Sequence, residues 1–303
     1  MQQLKNVTKE IAITNLIKTL AQSYETVATI EMKKTRDSVL TKRDFMLRIL
    51  EIYVQVKENY KNEIEKMRNG KFKMLKSLAR KKQSDENNFL TINKKKGDAV
   101  VLLTSNRSMV GSVNLKVYKE FSNFLQDNKG ADIIVIGKIG KNFLDSTMPN
   151  QKYNYFDLPV KSKDASVIKN ITDVLMEYKN IEVFHGKYLN LVNQVGVKTP
   201  LTANLDQNTS IQPKKVDYLF EPSLKQILNF FETQIFSSLF SQTLSETNLA
   251  NLGSRIQSME QTVVGTEDYL KALNSKKVKA KKLLAEKKQK QRIIASLIVA
   301  NGN

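Results

Sequence analysis

Four groups of residues in this chain have types and spacings that invite chemistry. Gly137-Lys-Ile-Gly140-Lys141 follows an apolar run and opens a helical pattern, the setting in which backbone N–H groups can cradle a phosphate. It lacks the third glycine of a dinucleotide fingerprint and the Lys-Ser/Thr of a P-loop, so a tight strand-to-helix turn is the stronger reading. Ser105-Asn-Arg-Ser-Met-Val-Gly111 offers hydroxyls without the Gly-x-Ser-x-Gly spacing of a nucleophile elbow. His185, the chain's one histidine, follows Val183-Phe184 and reads as a strand-end surface residue or a satisfied core residue. Asp217 and Glu221 are acidic neighbours in sequence with nothing to draw them into one pocket. The chain has no cysteine, which excludes disulfides, thiolate nucleophiles and Cys-ligated metal, and a single histidine leaves little room for a histidine metal site or triad. No catalytic constellation, cofactor site or metal site follows from these residues.

Charge is the more informative signal. The 303 residues carry 49 Lys+Arg against 30 Asp+Glu, a formal +19, which calls for an acidic partner: a protein surface, anionic lipid or nucleic acid. Lys276–Arg292 holds nine basic residues and one acid, Glu286, and Lys33, Lys34, Arg36, Lys42 and Arg43 cluster near the other end. The run from Lys276 has no interleaved aromatic for base stacking, and it is too basic all round to offer a membrane a broad apolar face. Lysine runs also simply solvate helix faces. No stretch approaches 18 unbroken apolar residues and MQQLKNVTKE is not a signal peptide, so the chain reads as soluble and intracellular.

The elements that carry these residues follow from punctuation. All five prolines lie between Pro149 and Pro222, and glycine is absent before Gly70 and scarce after Pro222. Since proline costs about 3 kcal/mol in a helix interior and glycine about 1, two long helical stretches bracket a punctuated middle. Ile17, Leu20, Tyr24 and Val27, then Met46, Ile49, Tyr53, Val56 and Tyr60, step by three and four in the first stretch. Leu249, Leu252, Ile256, Met259, Val263, Thr266, Leu270 and Leu273 do so in the last. That 3.5-residue period is what two helices need to wrap around each other.

The middle alternates as an α/β domain. Asp98–Thr104 and Asp132–Gly137 are strands, with a helical face of Leu115, Tyr118, Phe121, Phe124 and Leu125 between them, a β-α-β order that favours a parallel pair. Val167, Ile171, Val174, Leu175 and Tyr178 mark a second helix; Ile181–Phe184, Lys187–Val195 and Asp217–Phe220 mark further strands. Helix continues to about Lys82 and a polar loop spans Gln83 to Asn88. The predicted fold is α/β: a long antiparallel coiled coil of N- and C-terminal helices plus a small Rossmann-like domain, divided into 1–82, 98–221 and 222–303.

Several local strings then meet one family in order. Leu4-Lys5, Val7, Lys9, Ile11 and Leu20 fall on its opening LK-x-I-x-x-x-I pattern and ITKAM segment, and Val27-Ala28 with Glu31-Met-Lys-Lys34 on its VAAAKLRR. Leu103–Asn114 is similar to S-D-R-G-L-C-G-G-L-N after the first strand, and Val135–Phe143 to VIGRKGRDF. Lys187–Gln194, Phe220-Glu-Pro222 and Arg255-Ile-Gln-Ser-Met259 are similar to its YNKFVNTMTQ strand, its YEP and its R-M-x-A-M. Over nearly its whole length the chain resembles the gamma subunit of F-type ATP synthases, the central shaft of a rotary motor. It keeps Arg107, Gly111 and Asn114 of the first-strand turn and departs at Asn106, Ser108 and Ser112, at Tyr24–Ile30 in place of a small-residue surface, and in extra length around Leu228–Phe240.

The resemblance implies a non-catalytic subunit without cofactor, one copy per complex. It implies three alternating pairs of alpha- and beta-type ATPase subunits around it, an epsilon-type subunit and a membrane ring at the far end, and a cytoplasmic position peripheral to the inner face of the cell membrane. The rotor–stator contacts it implies are Lys33, Lys34, Arg36 and Arg255, with the family's Arg-Gln pair falling on Lys281-Lys282 without gaps or near Gln291-Arg292 with one. Its departures admit an F-like motor specialised for a task other than ATP synthesis. The competing readings are a basic coiled-coil protein that binds nucleic acid or scaffolds an assembly, and an enzyme using the central sheet.

Overall fold

The computed structural model describes residues 2–69, 96–107, 111–128, 130–158, 165–201 and 224–300. The expected loop at Gln83–Asn88, the strand at Asp217–Phe220, and Glu221 lie outside them. The elements in order are α1 (Gln2–Asn69), β1 (Lys96–Leu103), α2 (Val113–Asp127), β2 (Asp132–Ile136), α3 (Lys138–Thr147), β3 (Asn154–Phe156), α4 (Ala165–Leu175), β4 (Tyr178–Tyr188), β5 (Gln194–Pro200) and α5 (Leu224–Ala300). They form two compact units, Met1–Ile30 with Arg255–Asn303, and Glu31–Ser254.

The first unit is a pair of helices. Along α1 the least exposed positions are Leu4, Val7, Ile11, Thr14, Lys18, Ala21, Glu25 and Ala28; along α5 they include Ile256, Met259, Val263, Thr266, Leu270, Leu273, Lys277, Ala280 and Leu284. Both series step by three and four, the period of a coiled-coil seam. Lys18 Nζ meets Glu267 Oε1 at 2.8 Å across the seam. With that pair as the pin, antiparallel helices bring Ala28 opposite Ile256 and Leu4 opposite Ala280–Leu284. The same register sets Glu31 opposite Ser254, and both meet the short stretch after β1, Glu31 through Arg107 and Ser254 at Gly111, whereas parallel helices would set Glu31 opposite Ala280.

The C-terminal seam is the one predicted. The N-terminal one is not: Ile17, Leu20, Tyr24 and Val27 are 44–52% exposed. Two faces of α1 repeat at the same period, and the inward one is the face with small residues, Thr14, Ala21 and Ala28, which let the two backbones approach. Leu273 is fully buried on the partner helix. Leu273→Ala is expected to cost about 2–5 kcal/mol by loss of apolar burial and a residual cavity. Urea unfolding of the chain, followed by circular dichroism, measures it.

The second unit is a three-layer α/β/α body. Its sheet runs β3-β2-β1-β4-β5, with β1, β2, β3 and β4 parallel and β5 returning antiparallel to β4. Strands covered on both faces read as unbroken apolar runs, which is why Ala99–Leu103 and Ile133–Ile136 are entirely buried. Alternate residues serve opposite layers. Val100, Leu102, Ile133, Val135 and Phe184 pack on Val117, Tyr118 and Phe121 of α2 and Leu144 of α3. Val101, Leu103, Ile134, Ile136, Ile181 and Val183 face Ile171 and Leu175 of α4, Met46, Ile49, Leu50 and Tyr53 of α1, and Ile235, Phe236 and Phe240 of α5. The apparent extra length near Leu228–Phe240 thus contributes three core residues.

Three local expectations are corrected. Leu115 is exposed and Val117 takes the inward position on α2. Tyr178 begins β4 instead of ending α4, and its hydroxyl donates to Asp132 Oδ2 at 3.1 Å. Lys187–Val195 is not one strand but a hairpin: Lys187 and Tyr188 end β4, Gln194 and Val195 open β5, and between them Asn190 Oδ1 accepts the backbone N–H of Val192 (3.0 Å) and Asn193 (2.7 Å), an Asx turn that reverses the chain.

Candidate functional site

The turn after β2 shows why Gly137–Lys141 does not hold phosphate. Gly137 has φ 102°, which only glycine adopts readily. The first N–H groups of α3, which would face an anion, are already taken. Lys138 N–H donates to Asn106 Oδ1 (2.8 Å), Ile139 N–H to the Ser105 carbonyl (3.1 Å) and Gly140 N–H to Thr104 Oγ1 (2.8 Å). Thr104 is fully buried. The strand-to-helix turn satisfies itself, as the structural reading anticipated.

The C-terminal ends of β1 and β4, where the strand order reverses, are the usual crevice for a ligand in an open α/β sheet. Here α5 lies against them. A Cβ on Gly186 would meet Val113 Cγ2 at 3.1 Å and Ala250 Cβ at 3.2 Å; one on Gly111 would come within 2.6 Å of the Ser254 carbonyl oxygen; one on Gly253 would touch the Tyr188 ring at 3.0 Å. Asn114 Nδ2 donates to Asn251 Oδ1 at 3.0 Å, both residues buried. From the same turn Arg107 Nη1 reaches both carboxylate oxygens of Glu31 on α1, at 3.0 and 2.8 Å. What would be a nucleotide crevice is a mounting for two helices. Among the described residues no group of His, Cys, Asp or Glu is placed to hold a metal ion.

His185 is a satisfied core residue inside β4, 2% exposed, and not at a strand end. The Gly186 carbonyl can only accept, so Nδ1 donates to it (3.2 Å) and Nε2 accepts from the Thr199 hydroxyl (2.9 Å). Burial lowers its pKa, with Lys187 acting the same way, while the Gly186 bond and Glu246 pull it upward. The unfolded chain therefore takes up a proton, near the ordinary histidine value of about 6.5, that the folded chain resists. His185 contributes stability above that pH and loses it as pH falls. His185→Gln is expected to flatten this decline, read from urea midpoints at pH 7.5 and 5.5.

The basic residues fall in two groups. Lys33, Lys34 and Arg36 are exposed on α1, and Lys281, Lys282, Gln291 and Arg292 are exposed on α5. Arg255 differs: it is 7% exposed and engaged within the chain. Beyond Leu284 every described α5 side chain is exposed. No described helix is long and apolar enough to cross a membrane.

Comparison with known proteins gives this arrangement its context. Residues 3–282 match the ATP synthase family. The chain belongs to that family. Within it, the chain is similar to the ATP synthase gamma chain of Flavobacterium psychrophilum, 24% identical over 81% of this chain and 82% of that one. The ATP synthase gamma chain of Cytophaga hutchinsonii is 22% identical over 90% of both. Among solved structures, the central stalk and c-ring of the Tetrahymena thermophila mitochondrial ATP synthase aligns with a TM-score of 0.54, at 17% identity, over 80% of this chain and 98% of that one. A chain of the Euglena gracilis mitochondrial ATP synthase aligns with a TM-score of 0.51 at 13% identity, over 90% and 95%. These two likenesses establish a shared fold.

As a member of the ATP synthase family, the chain carries its most informative residues where local motifs gave only part of the signal. Arg107, Gly111 and Asn114 stood out as a kept motif, yet nothing in their spacing named Glu31, Asn251 and Ser254 as their partners. Those partners lie 76, 137 and 143 residues away in the chain. The glycine at 253, next to Ser254, was the available clue, since a glycine inside a helix costs stability and marks a place to look for a close approach.

Proposed function

We propose that the chain is the central rotor shaft of an F-type rotary ATPase or ATP synthase, itself non-catalytic. It turns inside three alternating pairs of alpha- and beta-type ATPase subunits, one copy per complex, at the inner face of the cell membrane. An epsilon-type subunit and a membrane ring are its partners at the far end. The observation that carries this reading is the family match from residue 3 to residue 282, in a chain whose two ends pair as antiparallel helices.

The physics supports it. The paired helices present different side chains around their circumference, so rotation offers each surrounding subunit a changing surface. Differential contact of that kind shifts a partner between conformations. From Ile11 to Ile30 the only charged residues are Lys18 and Glu25, and both lie on the inward seam. The outer face over those turns is uncharged and slides without breaking ion pairs. Lys33, Lys34, Arg36, Lys281, Lys282 and Arg292 provide attraction to acidic loops at about 0–1 kcal/mol per exposed pair, weak enough to release.

The native mass of the complex recovered with this chain tests the assignment. The shaft reading predicts two ATPase-type chains in a three-to-three-to-one ratio with it. A lone homodimer that retains DNA, with binding that falls steeply in salt, would establish the nucleic-acid reading instead.

A further inference from the structure

We infer that Arg107 and Gly111, with Asn114 in the first turn of α2, form a torsional clamp: they fasten both long helices to the sheet, and twist is carried between helix and sheet through them. The inference rests on the shaft reading and goes beyond it by naming the residues through which torque passes.

The contacts converge from both sides. Arg107 is oriented by its own backbone N–H, which donates to Ser105 Oγ at 3.0 Å, and its guanidinium holds Glu31 on α1. Asn114 is shared between two jobs: its Oδ1 accepts from Ser105 N–H at 3.3 Å, and its Nδ2 donates to Asn251 on α5. Gly111, with φ 65°, lies where a side chain could not fit, so backbone meets the backbone of Ser254 directly. Glu31 on one helix and Asn251–Ser254 on the other are thereby tied to the same few residues at the end of β1. Apolar packing beneath resists separation of helix and sheet, but it is non-directional. Directional bonds at the rim are what resist rotation of a helix about its own axis.

Angular fluctuation of the rotor in the intact complex is the test. The complex is fixed by its outer subunits and a bead is attached through Glu120→Cys, an exposed position on α2; the chain has no native cysteine to compete. During pauses without nucleotide, Arg107→Ala is expected to raise the variance of the bead angle about twofold, and Arg107→Ala with Asn251→Ala by more than the sum of the two. Unloaded ATP hydrolysis should stay at the wild-type rate. The charge swap Arg107→Glu with Glu31→Arg is expected to restore the variance, a rescue that a merely structural role for Arg107 does not predict. Arg107 and Glu31 are partly exposed, with side chains 40% and 37% accessible, so the Arg107 and Glu31 variants fold. Unchanged variance in Arg107→Ala, or no rescue by the swap, would overturn the clamp. A wild-type bead that never turns on ATP would overturn the shaft reading itself.

Discussion

Gly137→Ala is expected to destabilise the sheet unit by about 2–6 kcal/mol. Two costs add. At φ 102° a side chain is strained whatever the space around it, worth about 1–3 kcal/mol. The new Cβ would also press on the Thr104 carbonyl oxygen and approach its carbonyl carbon to 2.8 Å. That neighbour is buried backbone just past β1, tied to the Ile136 carbonyl at 2.8 Å, and cannot swing aside, so a further overpacking cost of about 1–3 kcal/mol follows. Gly265 provides the contrast. It sits in the interior of α5 with nothing within 4 Å of an added Cβ, so Gly265→Ala should stabilise by up to about 1 kcal/mol through helix propensity. Urea titrations of both variants check the pair, and a Gly137→Ala chain within 1 kcal/mol of wild type would show that the turn is softer than its contacts indicate.

Truncation after Leu284 is expected to separate folding from function. Among the described side chains of α5, Leu284 is the last half-buried one, and residues 285–294 are exposed throughout. Exposed positions away from core and caps contribute little to stability, so the urea midpoint is expected to stay close to that of the full chain. The same cut removes Lys287, Lys288, Lys290 and Arg292 together with Glu286, the portion left free to meet surrounding subunits. ATP hydrolysis coupled to rotation should fall by roughly tenfold, equivalent to about 1.4 kcal/mol of lost differential contact. Unchanged coupling would place the working contacts elsewhere on the shaft.

The C-terminal seam was legible because only one face of α5 between Leu249 and Leu273 repeats with large apolar residues. On α1 the same reasoning selected Ile17, Leu20, Tyr24 and Val27, since apolar size marks burial in most helices. It failed because the close approach of two backbones rewards alanine and threonine. Periodicity gives the spacing of a face and not which face turns inward. The parallel sheet was legible from its unbroken apolar runs. The hairpin at Tyr188–Gln194 was not, because its signal is one asparagine whose side chain caps the turn, inside a string that otherwise alternates like a strand. The mounting site was half legible. Arg107, Gly111 and Asn114 could be picked out by motif, whereas their partners depend on contacts more than 70 residues apart in the chain. Arg255, offered by resemblance as a surface contact, is buried, which no reading of its neighbours in sequence would reveal.

The helix pair turning as one body is the central claim, and a tether across it tests that directly. Lys18→Cys with Glu267→Cys places the chain's only two thiols where the wild-type side chains meet at 2.8 Å, and a short bis-maleimide joins them. The account predicts that the tether forms in high yield and that the complex carrying it still rotates on ATP at the untethered speed. A tether that fails to form, or that stops rotation, would show that the two helices must move against each other, and the shaft would not be an axle.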